Sequence, residues 1–565
     1  MVFGPWRRDG GGSRASSLAA APDEMRRRGR STRKGTLKTP VPTASAPSPN
    51  EPRVERGRKI LSATIAVALL GSAVRIAYSF PAHKFVPDAD SLNMGCRALA
   101  IRGGHFVVFF SGVQIGALEA YCHAVIFGLL GATRAAISVT PVLAGCATLI
   151  VFFLFVQELF STRVAFFSLL FLALPSREYM AWTYMPNSYP ETVLFCVTTL
   201  WLAARVARRG THGLWPLALG LSVGLGWWNS LITLGCSAPA LAWLLLFRRR
   251  GVSRTRLLGG LLAGFALGAS PWIYYNLQSR TATLSTNFAS AANGLSALAT
   301  SRRFATETLP HLLVGLNPFG SPRPMTAVEI ALRTPTILVE LLALLFLPAA
   351  PLLSGREVDG RGVLLLVLVG STVTALFVFS APGQVPGPTV RYILPLFFVV
   401  AVSLGVTVTL LLDRLPWAAM GIVGVILLFN VSGYYWPGTP ERKEWAEKAQ
   451  IDRRLIRFLE ASRIQWICGD YWVVYPVNFL SGLRIRAVPY QDGFDFYRYG
   501  EALPRFPARF AVLASTSGEL KEWTARTHLT GRVVSPAAGY FVFLPEAIPP
   551  ASPAALLARL RASKP

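Results

Sequence analysis

The sequence predicts a polytopic α-helical membrane protein that carries a small α/β domain after its last membrane span. Of its 565 residues 52% are hydrophobic and only 15% are charged. The apolar residues form recurring blocks, many near the ~20 residues that cross a bilayer. After residue 436 these blocks give way to charged helical stretches and to segments of alternating polarity, such as Arg484–Val488 and Tyr540–Phe543. This composition excludes an ordinary water-soluble enzyme.

The N-terminal residues 1–58 are rich in Arg, Ser, Gly and Pro and have no apolar period, which predicts a disordered cytoplasmic tail. The net charge of +27 lies mostly in this tail and in short loops, where an anionic cytoplasmic leaflet favours it. Because no basic stripe lies on a predicted folded domain, the sequence indicates no nucleic-acid partner. The first apolar block lacks a convincing cleavage site, so we interpret it as an uncleaved span.

The apolar blocks and the basic loops together predict the topology. The blocks lie near residues 60–80, 113–131, 135–157, 163–176, 190–206, 213–228, 230–247, 257–276, 333–353, 362–381, 391–412 and 416–435. By the positive-inside rule, the most basic short loops face the cytoplasm. These loops carry Arg205, Arg208, Arg209, Arg248, Arg249, Arg250, Arg254, Arg256, Arg356 and Arg361. The outer loops are then 81–112, 177–190 and 277–332, and the region after residue 436 also lies outside.

The number of crossings follows from the two ends of the chain. A cytoplasmic N-terminus and an outer C-terminal domain require an odd number, so one apolar block does not cross. The block 113–131 is interrupted by Gln114 and Glu119, and we predict that it lies along or dips into the outer surface as a juxtamembrane helix. The sequence thus predicts about 11 crossings, within a range of roughly 11 to 13, in a catalytic domain over 59–436. A periplasmic α/β domain follows over 437–565.

The cysteines and histidines predict no metal or redox site. The chain has six of each, scattered without a CxxC pair or any ligand spacing. Most cysteines lie inside apolar blocks, where a free thiol is more often a small apolar filler than a reactive group.

In this topology, polar and aromatic residues from distant segments reach the same outer face. They are Asp88, Asp90, Gln114, Glu119, Tyr121, His123, Tyr189, Glu191, Trp227, Trp228, Asn229, Trp272, Tyr275, Asn276, Arg391 and Tyr392. Carboxylates at a lipid boundary are costly and usually mark a pathway or a reactive site.

Each of these residues has a structural alternative. Asp88 can cap a helix, the aromatic residues can sit at the membrane interface, and Arg391 can extend toward headgroups. Glu191 beside Pro190 suits the first turn of a helix. The convergence of so many on one face nevertheless favours a common site.

The residue types indicate the chemistry of that site. A carboxylate can remove the proton of an acceptor hydroxyl while that hydroxyl attacks a sugar carbon. An arginine can hold a phosphate leaving group through paired hydrogen bonds. Aromatic and amide side chains suit the face and the hydroxyls of a sugar. The set therefore predicts sugar transfer from a lipid phosphate.

The order of these motifs resembles the bacterial C-type (GT-C) membrane glycosyltransferases, which are related to the protein O-mannosyltransferases and to the aminoarabinose transferase of lipid A. The resemblance covers residues from about 60 to 500. It is carried by Pro87-Asp88-Ala89-Asp90-Ser91, Gly112-Val113-Gln114, Gly116 to Tyr121, Tyr189-Pro190-Glu191, Gly224 to Asn229, Pro271 to Asn276, Arg391-Tyr392 and Asp470-Tyr471-Trp472.

The resemblance implies an acidic catalytic base in the first outer loop and a polyprenyl-phosphate sugar as donor. By position the base is Asp90 or Asp88. Many relatives have the pair Asp-Glu where this chain has Asp88-Ala89-Asp90, so the resemblance implies either of the two. Glu119 and Glu191 match further acidic positions near the donor phosphate or the acceptor. Some members of the wider fold need a divalent metal, and carboxylates without histidines would suit Mg²⁺ or Mn²⁺, but nothing in the sequence requires one.

The sequence therefore predicts an inverting glycosyltransferase of the bacterial inner membrane with a periplasmic glycan, lipid or protein acceptor. The predicted catalytic residues are Asp90, Asp88 and Glu119, and the predicted substrate-binding residues are Gln114, Tyr189, Glu191, Trp228, Asn229, Asn276, Arg391 and Tyr392. A transporter or flippase of lipid-linked sugars is the alternative, although it would show internal repeats and polar residues deep in the spans. A non-enzymatic scaffold would tolerate neutralisation of the outer acids.

Overall fold

The computed structural model describes most of the chain outside its two ends and several loops. The described residues are 51–79, 89–111, 115–210, 214–248, 253–279, 283, 296–316, 325–354, 357–380, 389–434, 440–489, 510–527 and 530–546. The chain divides into a short unit, Met1–Glu55, and a large one, Arg56–Pro565. The first helix begins at Glu51, inside the predicted tail, and the rest of that tail lies outside the described residues.

The part of the chain up to residue 434 is almost entirely helical. Its helices are α1 (Glu51–Ser79), α2 (Ala89–Arg102), α3 (Leu118–Leu130), α4 (Arg134–Ile137), α5 (Val139–Leu159), α6 (Thr162–Ala173), α7 (Arg177–Tyr184), α8 (Tyr189–Arg209), α9 (Trp215–Asn229), α10 (Leu234–Phe247), α11 (Arg254–Gly268), α12 (Ser270–Ser279), α13 (Ala297–Arg303), α14 (Leu309–Val314), α15 (Ala327–Phe346), α16 (Ala350–Ser354), α17 (Gly360–Val378), α18 (Leu396–Leu412) and α19 (Pro416–Ser432). A two-stranded sheet, β1 (Phe109–Ser111) and β2 (Ile115–Gly116), lies between α2 and α3.

Five helical segments in the described residues are long and apolar enough to cross a membrane, or up to seven if each of two bent pairs is one span. The five are Ile60–Ser79, Arg134–Leu159, Tyr189–Arg209, Ala327–Leu353 and Gly360–Val378. Shorter apolar helices cover Leu118–Leu130, Leu231–Phe247, Leu396–Leu412 and Pro416–Ser432. The chain is therefore a multi-pass membrane protein, as predicted, and the number of about 11 crossings stays a prediction.

The helices fall on the apolar blocks of the sequence, with two departures in shape. The predicted outer loop 177–190 contains the helix α7, which is bent by 75° from α6. The predicted block 257–276 is bent by 67° between α11 and α12. Pro175 lies inside the first break, and Pro271 is the second residue of α12, after the second break. Because the residue before a proline avoids the helical conformation, α6 ends before Pro175.

Helices α9 and α11 pack at very short distance through glycines. A Cβ atom at Gly264 would lie 2.1 Å from the Leu217 carbonyl oxygen, and one at Gly220 would lie 2.2 Å from that of Leu261. Small residues let two helix backbones approach in a membrane, where burial of apolar surface does not drive their association. This pair sets the position of Asn229, at the end of α9.

Arg75 is buried among the helices of the membrane domain. The Arg75 guanidinium donates to the carbonyl oxygens of Leu172 at 2.9 Å and Ala173 at 3.0 Å, and to that of Gly71 at 3.1 Å. The first two carbonyls lie at the C-terminal end of α6, where they have no partner within the helix. Arg75 thus stabilises the α6–α7 bend.

The segment after residue 440 forms the α/β domain expected from the alternating polarity. Its elements are α20 (Pro440–Ala461), β3 (Trp466–Gly469), α21 (Tyr471–Leu480), β4 (Arg486–Pro489), β5 (Phe510–Ala514), α22 (Ser517–Thr527), β6 (Gly531–Ala537) and β7 (Tyr540–Pro545). The strand order is β4-β3-β5-β7-β6. Strands β4, β3 and β5 are parallel, and β7 pairs antiparallel with β5 and β6.

Helices α2, α3 and α4 share one hydrophobic core with the C-terminal domain. Side chains of α2, α3 and α4 pack with those of α20, α21 and the sheet. At Gly95 on α2, an added Cβ would lie 2.5 Å from the Phe479 ring of α21. An ion pair of 3.1 Å joins Arg134, at the start of α4, to Asp452 on α20. These contacts fix α2 against the C-terminal domain.

Candidate active site

Asp90 lies in the first turn of α2, half-buried against the C-terminal domain. Its Oδ1 accepts a hydrogen bond of 2.6 Å from the Tyr471 hydroxyl. The same hydroxyl oxygen accepts a bond of 3.3 Å from Nδ2 of Asn93. A carboxylate in the first turn also interacts favourably with the positive end of the helix dipole. Asp90 is therefore held from one side by α21.

Arg391 lies in a short 3-10 helix, Val390–Tyr392, within electrostatic reach of Asp90. Its guanidinium carbon is 5.5 Å from the Trp182 ring centre and 5.1 Å from that of Tyr392. Tyr189 also acts electrostatically on Arg391. The packing thus brings α2, the end of α7, the start of α8 and the segment before α18 together around these two opposite charges.

The electrostatics of the two groups are linked. Burial raises the pKa of the Asp90 carboxyl above its ordinary value of 3.8, and the hydrogen bond from Tyr471 and the charge of Arg391 oppose this rise. Burial lowers the pKa of Arg391, but Tyr189, Tyr392 and Asp90 outweigh it, so that its pKa is raised overall. Arg391 therefore stays charged, within electrostatic reach of a carboxyl that can hold or release a proton.

Glu119 lies in the first turn of α3, with no exposed surface. With 13 residues, α3 is about 20 Å long and too short to cross the ~30 Å of hydrocarbon. One oxygen of Glu119 lies 3.1 Å from Nε2 of His123, and the other accepts the backbone N–H of Ser188. Burial raises the pKa of Glu119 to about 8, and the Ser188 N–H opposes this.

His123 continues this chain of contacts toward α5. Its Nδ1 lies 3.1 Å from the Thr140 hydroxyl, and burial lowers the pKa of the ring to about 4. A protonated Glu119 that donates to Nε2 of a neutral His123 fits both shifts, because a buried pair avoids separated charges in this way.

The Ser188 peptide at the start of α8 is held from two sides. Ser188 has a left-handed φ of 67°, which is unusual for a residue other than glycine. Its N–H is bound by Glu119, and its carbonyl accepts from Asn229 Nδ2 at 3.0 Å and from Thr192 Oγ1 at 2.6 Å. Asn229 also donates to Thr192 at 2.9 Å. The predicted residues Glu119 and Asn229 thus meet at one strained peptide.

Glu191 follows three residues later, in the first turn of α8, and is only 5% exposed. Within the described part of the chain, neither of its carboxyl oxygens has a hydrogen-bond partner. Glu119 and His123 act on it electrostatically. A buried carboxyl without a hydrogen-bond partner is costly. Glu191 therefore either carries a proton or binds a ligand.

The aromatic residues divide into two groups. Trp182 and Tyr189 meet edge to face at 5.7 Å, close to Arg391. Trp228 instead donates from its indole nitrogen to the Val108 carbonyl at 2.9 Å. A Cβ at Gly116 would lie 2.1 Å from the Trp228 carbonyl oxygen. Trp228 therefore fixes the segment around Val108 and Gly116 onto α9.

Asn276 makes local contacts in the described structure. Its Nδ2 donates to the Trp272 carbonyl at 2.8 Å, and its Oδ1 accepts from the Thr283 hydroxyl at 2.6 Å. None of its described hydrogen bonds reaches Asp90 or Arg391. Two other predicted site residues, Asp88 and Gln114, lie outside the described residues.

Tyr471, Asn93, Trp182 and Ser188 are near the site but are missing from the residues predicted to form it. The motif Asp470-Tyr471-Trp472 carried part of the resemblance, yet the sequence offered no reason to connect Tyr471 with Asp90. Trp182 lies in a stretch interpreted as a loop. The αL conformation of Ser188 has no sequence signal, because glycine and asparagine are the residues that usually adopt it.

No cluster of three or more His, Cys, Asp or Glu side chains suitable for a metal occurs among the described residues. Glu119 has both oxygens engaged, and Asp90 accepts from Tyr471.

The basic loops lie at the opposite end of α8 from this site. Arg208 donates to Asp359 at 2.8 Å, and Arg209 donates to Glu158 at 3.4 Å. A helix of 21 residues spans about 32 Å, so Tyr189 and Arg209 are separated by roughly the thickness of a bilayer's apolar core. The candidate site and the arginine-rich loops therefore lie at opposite ends of the helix.

Comparisons with known proteins support this fold. The family described as dolichyl-phosphate-mannose-protein mannosyltransferase matches residues 117–275. This segment runs from just before α3 into α12, and it contains Glu119, Glu191 and Asn229. A search of curated protein sequences gives no match.

Among solved structures, ArnT from Cupriavidus metallidurans bound to undecaprenyl phosphate is 14% identical, with a TM-score of 0.55 over 86% of this chain and 98% of that one. The apo form of the same protein has the same identity and TM-score over 87% of this chain and 98% of that one. Archaeal oligosaccharyltransferase AglB from Archaeoglobus fulgidus, in complex with an inhibitory peptide and a dolichol-phosphate, is 12% identical, with a TM-score of 0.46 over 90% and 78%. The chain has the fold of the GT-C membrane glycosyltransferases, as its motifs predict.

Proposed function

We propose that this protein is an inverting glycosyltransferase of the bacterial inner membrane. It transfers a sugar from a polyprenyl-phosphate carrier to an acceptor hydroxyl on the periplasmic side. The observation that carries the proposal is the half-buried carboxyl of Asp90, held at Oδ1 by the Tyr471 hydroxyl at 2.6 Å and within electrostatic reach of Arg391, a cation suited to phosphate. The polyprenyl-phosphate ligand of ArnT and the family description support the class of donor.

The reaction is a single displacement at the anomeric carbon. The acceptor oxygen forms the new bond as the bond from that carbon to the phosphate oxygen breaks, so the configuration inverts. The carboxylate of Asp90 takes the proton of the acceptor hydroxyl. The guanidinium of Arg391 stabilises the charge that collects on the departing polyprenyl phosphate.

Asp90 is the base in this proposal. Its place at the N-terminus of α2 and beside Arg391 favours the ionised form that a base requires. Burial opposes these effects and raises its pKa toward the working pH, where a general base is most effective. Asp88 is the alternative base, as the family resemblance implies.

The remaining residues bind or position. Tyr189, Tyr392 and Trp182 surround Arg391 with aromatic surface, which suits the apolar face of a sugar. Glu191 offers a carboxyl that is free to bind sugar hydroxyls. Glu119, predicted as catalytic, instead positions the start of α8 through Ser188, together with Asn229.

The test is a transfer assay on purified protein in proteoliposomes. Radiolabelled undecaprenyl-phosphate mannose, glucose, galactose and aminoarabinose are offered with serine- and threonine-containing peptides, lipid A and glycan acceptors, with and without EDTA. We expect label in one acceptor, with an anomeric configuration opposite to that of the donor by NMR. Failure of every polyprenyl-phosphate sugar, or retention of configuration, would overturn the proposal.

A further inference from the structure

The contact between Asp90 and Tyr471 joins the membrane domain to the C-terminal domain. Tyr471 is the first residue of α21, directly after Asp470, whose Oδ1 caps the helix by accepting the Trp472 N–H. Its ring is buried and meets that of Tyr475 at 4.8 Å. From this position the hydroxyl reaches Oδ1 of Asp90 at 2.6 Å, a distance typical of a strong bond to a carboxylate.

The surrounding packing leaves Tyr471 little freedom. Helices α2 and α21 approach closely, with Phe479 against Gly95. A buried tyrosine ring in a close-packed core keeps one rotamer. Asn93, one turn along α2 from Asp90, donates to the Tyr471 oxygen at 3.3 Å. The hydroxyl proton is thereby directed toward Asp90, and a chain of donors enhances the bond.

We propose that Tyr471 is a positioning residue for Asp90, so that the C-terminal domain completes the active site. This inference rests on the proposed function. By engaging Oδ1, the phenol fixes the carboxyl plane and leaves Oδ2 to receive the acceptor proton. Loss of the hydroxyl would leave the carboxylate free to rotate away from the acceptor hydroxyl.

The groups that act on Asp90 define its pH response. Tyr471 faces it from α21, Asn93 belongs to its own helix, and Arg391 approaches from the 3-10 helix before α18. From α3, Glu119 is bound to Ser188 and His123. A hydrogen bond donated to a carboxylate favours its charged form, so its removal raises the pKa of Asp90.

The experiment compares Tyr471→Phe with Tyr540→Phe. Tyr540 offers a matched control because its hydroxyl donates to Asp452 at 2.7 Å in the same domain, away from the site. We expect Tyr471→Phe to lower kcat by roughly 10- to 100-fold, with KM for the donor within about 3-fold of wild type. The acidic limb of its kcat profile moves to higher pH by about one unit. Tyr540→Phe keeps the wild-type profile.

The outcomes separate the role of Tyr471 from the proposed function. Wild-type kcat and pH profile in Tyr471→Phe, or the same shift in Tyr540→Phe, would overturn the role of Tyr471 while leaving the proposed function intact. No transfer by wild-type protein from any polyprenyl-phosphate sugar would overturn the proposed function, and this inference with it. If Tyr471→Phe does not fold, Asn93→Ala is the second variant. It shifts the limb in the same direction by less, and an unmoved limb contradicts the proposal.

Discussion

The acidic first turns of α2 and α3 hold their carboxyls in different ways. Asp90 is half-buried, accepts a hydrogen bond from Tyr471 and lies within electrostatic reach of Arg391. Glu119 has no exposed surface, and both of its oxygens are engaged by Ser188 and His123. The sequence analysis placed both carboxyls among the catalytic residues, with Asp90 or Asp88 as the base and Glu119 near the donor phosphate or the acceptor.

The difference lies in what each partner leaves free. Within the described residues, Asp90 combines an opposite charge in electrostatic reach with a second carboxyl oxygen that makes no hydrogen bond, and a general base needs such a free oxygen. Both oxygens of Glu119 are engaged, which suits a residue that fixes the backbone. The same change, carboxyl to amide, should therefore abolish transfer at Asp90 and change it little at Glu119.

The largest expected effect is that of Asp90→Asn. An amide cannot accept the acceptor proton, so transfer should fall by roughly 10² to 10⁴-fold in the proteoliposome assay. The size-exclusion profile and melting temperature of the variant should stay close to those of the wild type. Wild-type transfer by this variant would remove Asp90 from the role of base and return that role to Asp88.

Arg391→Lys tests whether the guanidinium of Arg391 binds the donor phosphate. A lysine keeps the charge but loses the forked geometry that binds a phosphate through two hydrogen bonds. We expect kcat/KM for the lipid-linked donor to fall by roughly 10- to 100-fold. Arg163→Lys, at an exposed ion pair with Asp413, is the control. Equal kcat/KM in the two variants would contradict a phosphate role for Arg391.

Glu119→Gln should leave transfer within about 3-fold of wild type, because a glutamine can accept the Ser188 N–H and donate to His123 in place of a protonated glutamate. A loss of transfer as large as that of Asp90→Asn would restore a catalytic role to Glu119.

The effect of Glu119→Gln on stability depends on pH, and the sign follows from proton linkage. The folded protein keeps a proton on Glu119 up to about pH 8, whereas the unfolded chain releases it near 4.5, so stability falls as pH rises between these values. His123, with a pKa lowered from 6.5 to about 4, gives the opposite slope below pH 6.5. Between pH 6.5 and 8 the loss of stability caused by Glu119 is therefore not offset by His123. Melting temperatures should fall across this window in wild type and fall less in Glu119→Gln; parallel curves would contradict a neutral Glu119.

The smallest expected effect is that of Asn276→Ala. Its hydrogen bonds run to Trp272 and Thr283, so the change should cost about 1 kcal/mol of stability and alter transfer by less than about 3-fold. Thr283→Val removes the partner and should give a similar loss in melting temperature. A large loss of kcat in Asn276→Ala, but not in Thr283→Val, would indicate that Asn276 binds the substrate.

The helices could be predicted because each one carries its own signal. A span such as α5 is apolar along its whole length, and the bilayer imposes that length and polarity on every segment separately. The shortness of α3 agrees with the interruption of its apolar block by Glu119 and His123, and its place along the outer surface stays a prediction. The bend before α7 was missed, although Pro175 stands at it, because proline marks an end without saying whether a new helix follows.

The sequence by itself determined the multi-pass architecture, the alternating pattern of the C-terminal strands and the set of polar residues from which a site could be built. Only the tertiary structure decided that Asp90 meets Tyr471, 381 positions further along the chain, and that Glu119 serves the Ser188 peptide. Periodicity records the environment of one element at a time. Pairing between distant side chains depends on how whole elements pack, and no local pattern specifies that packing.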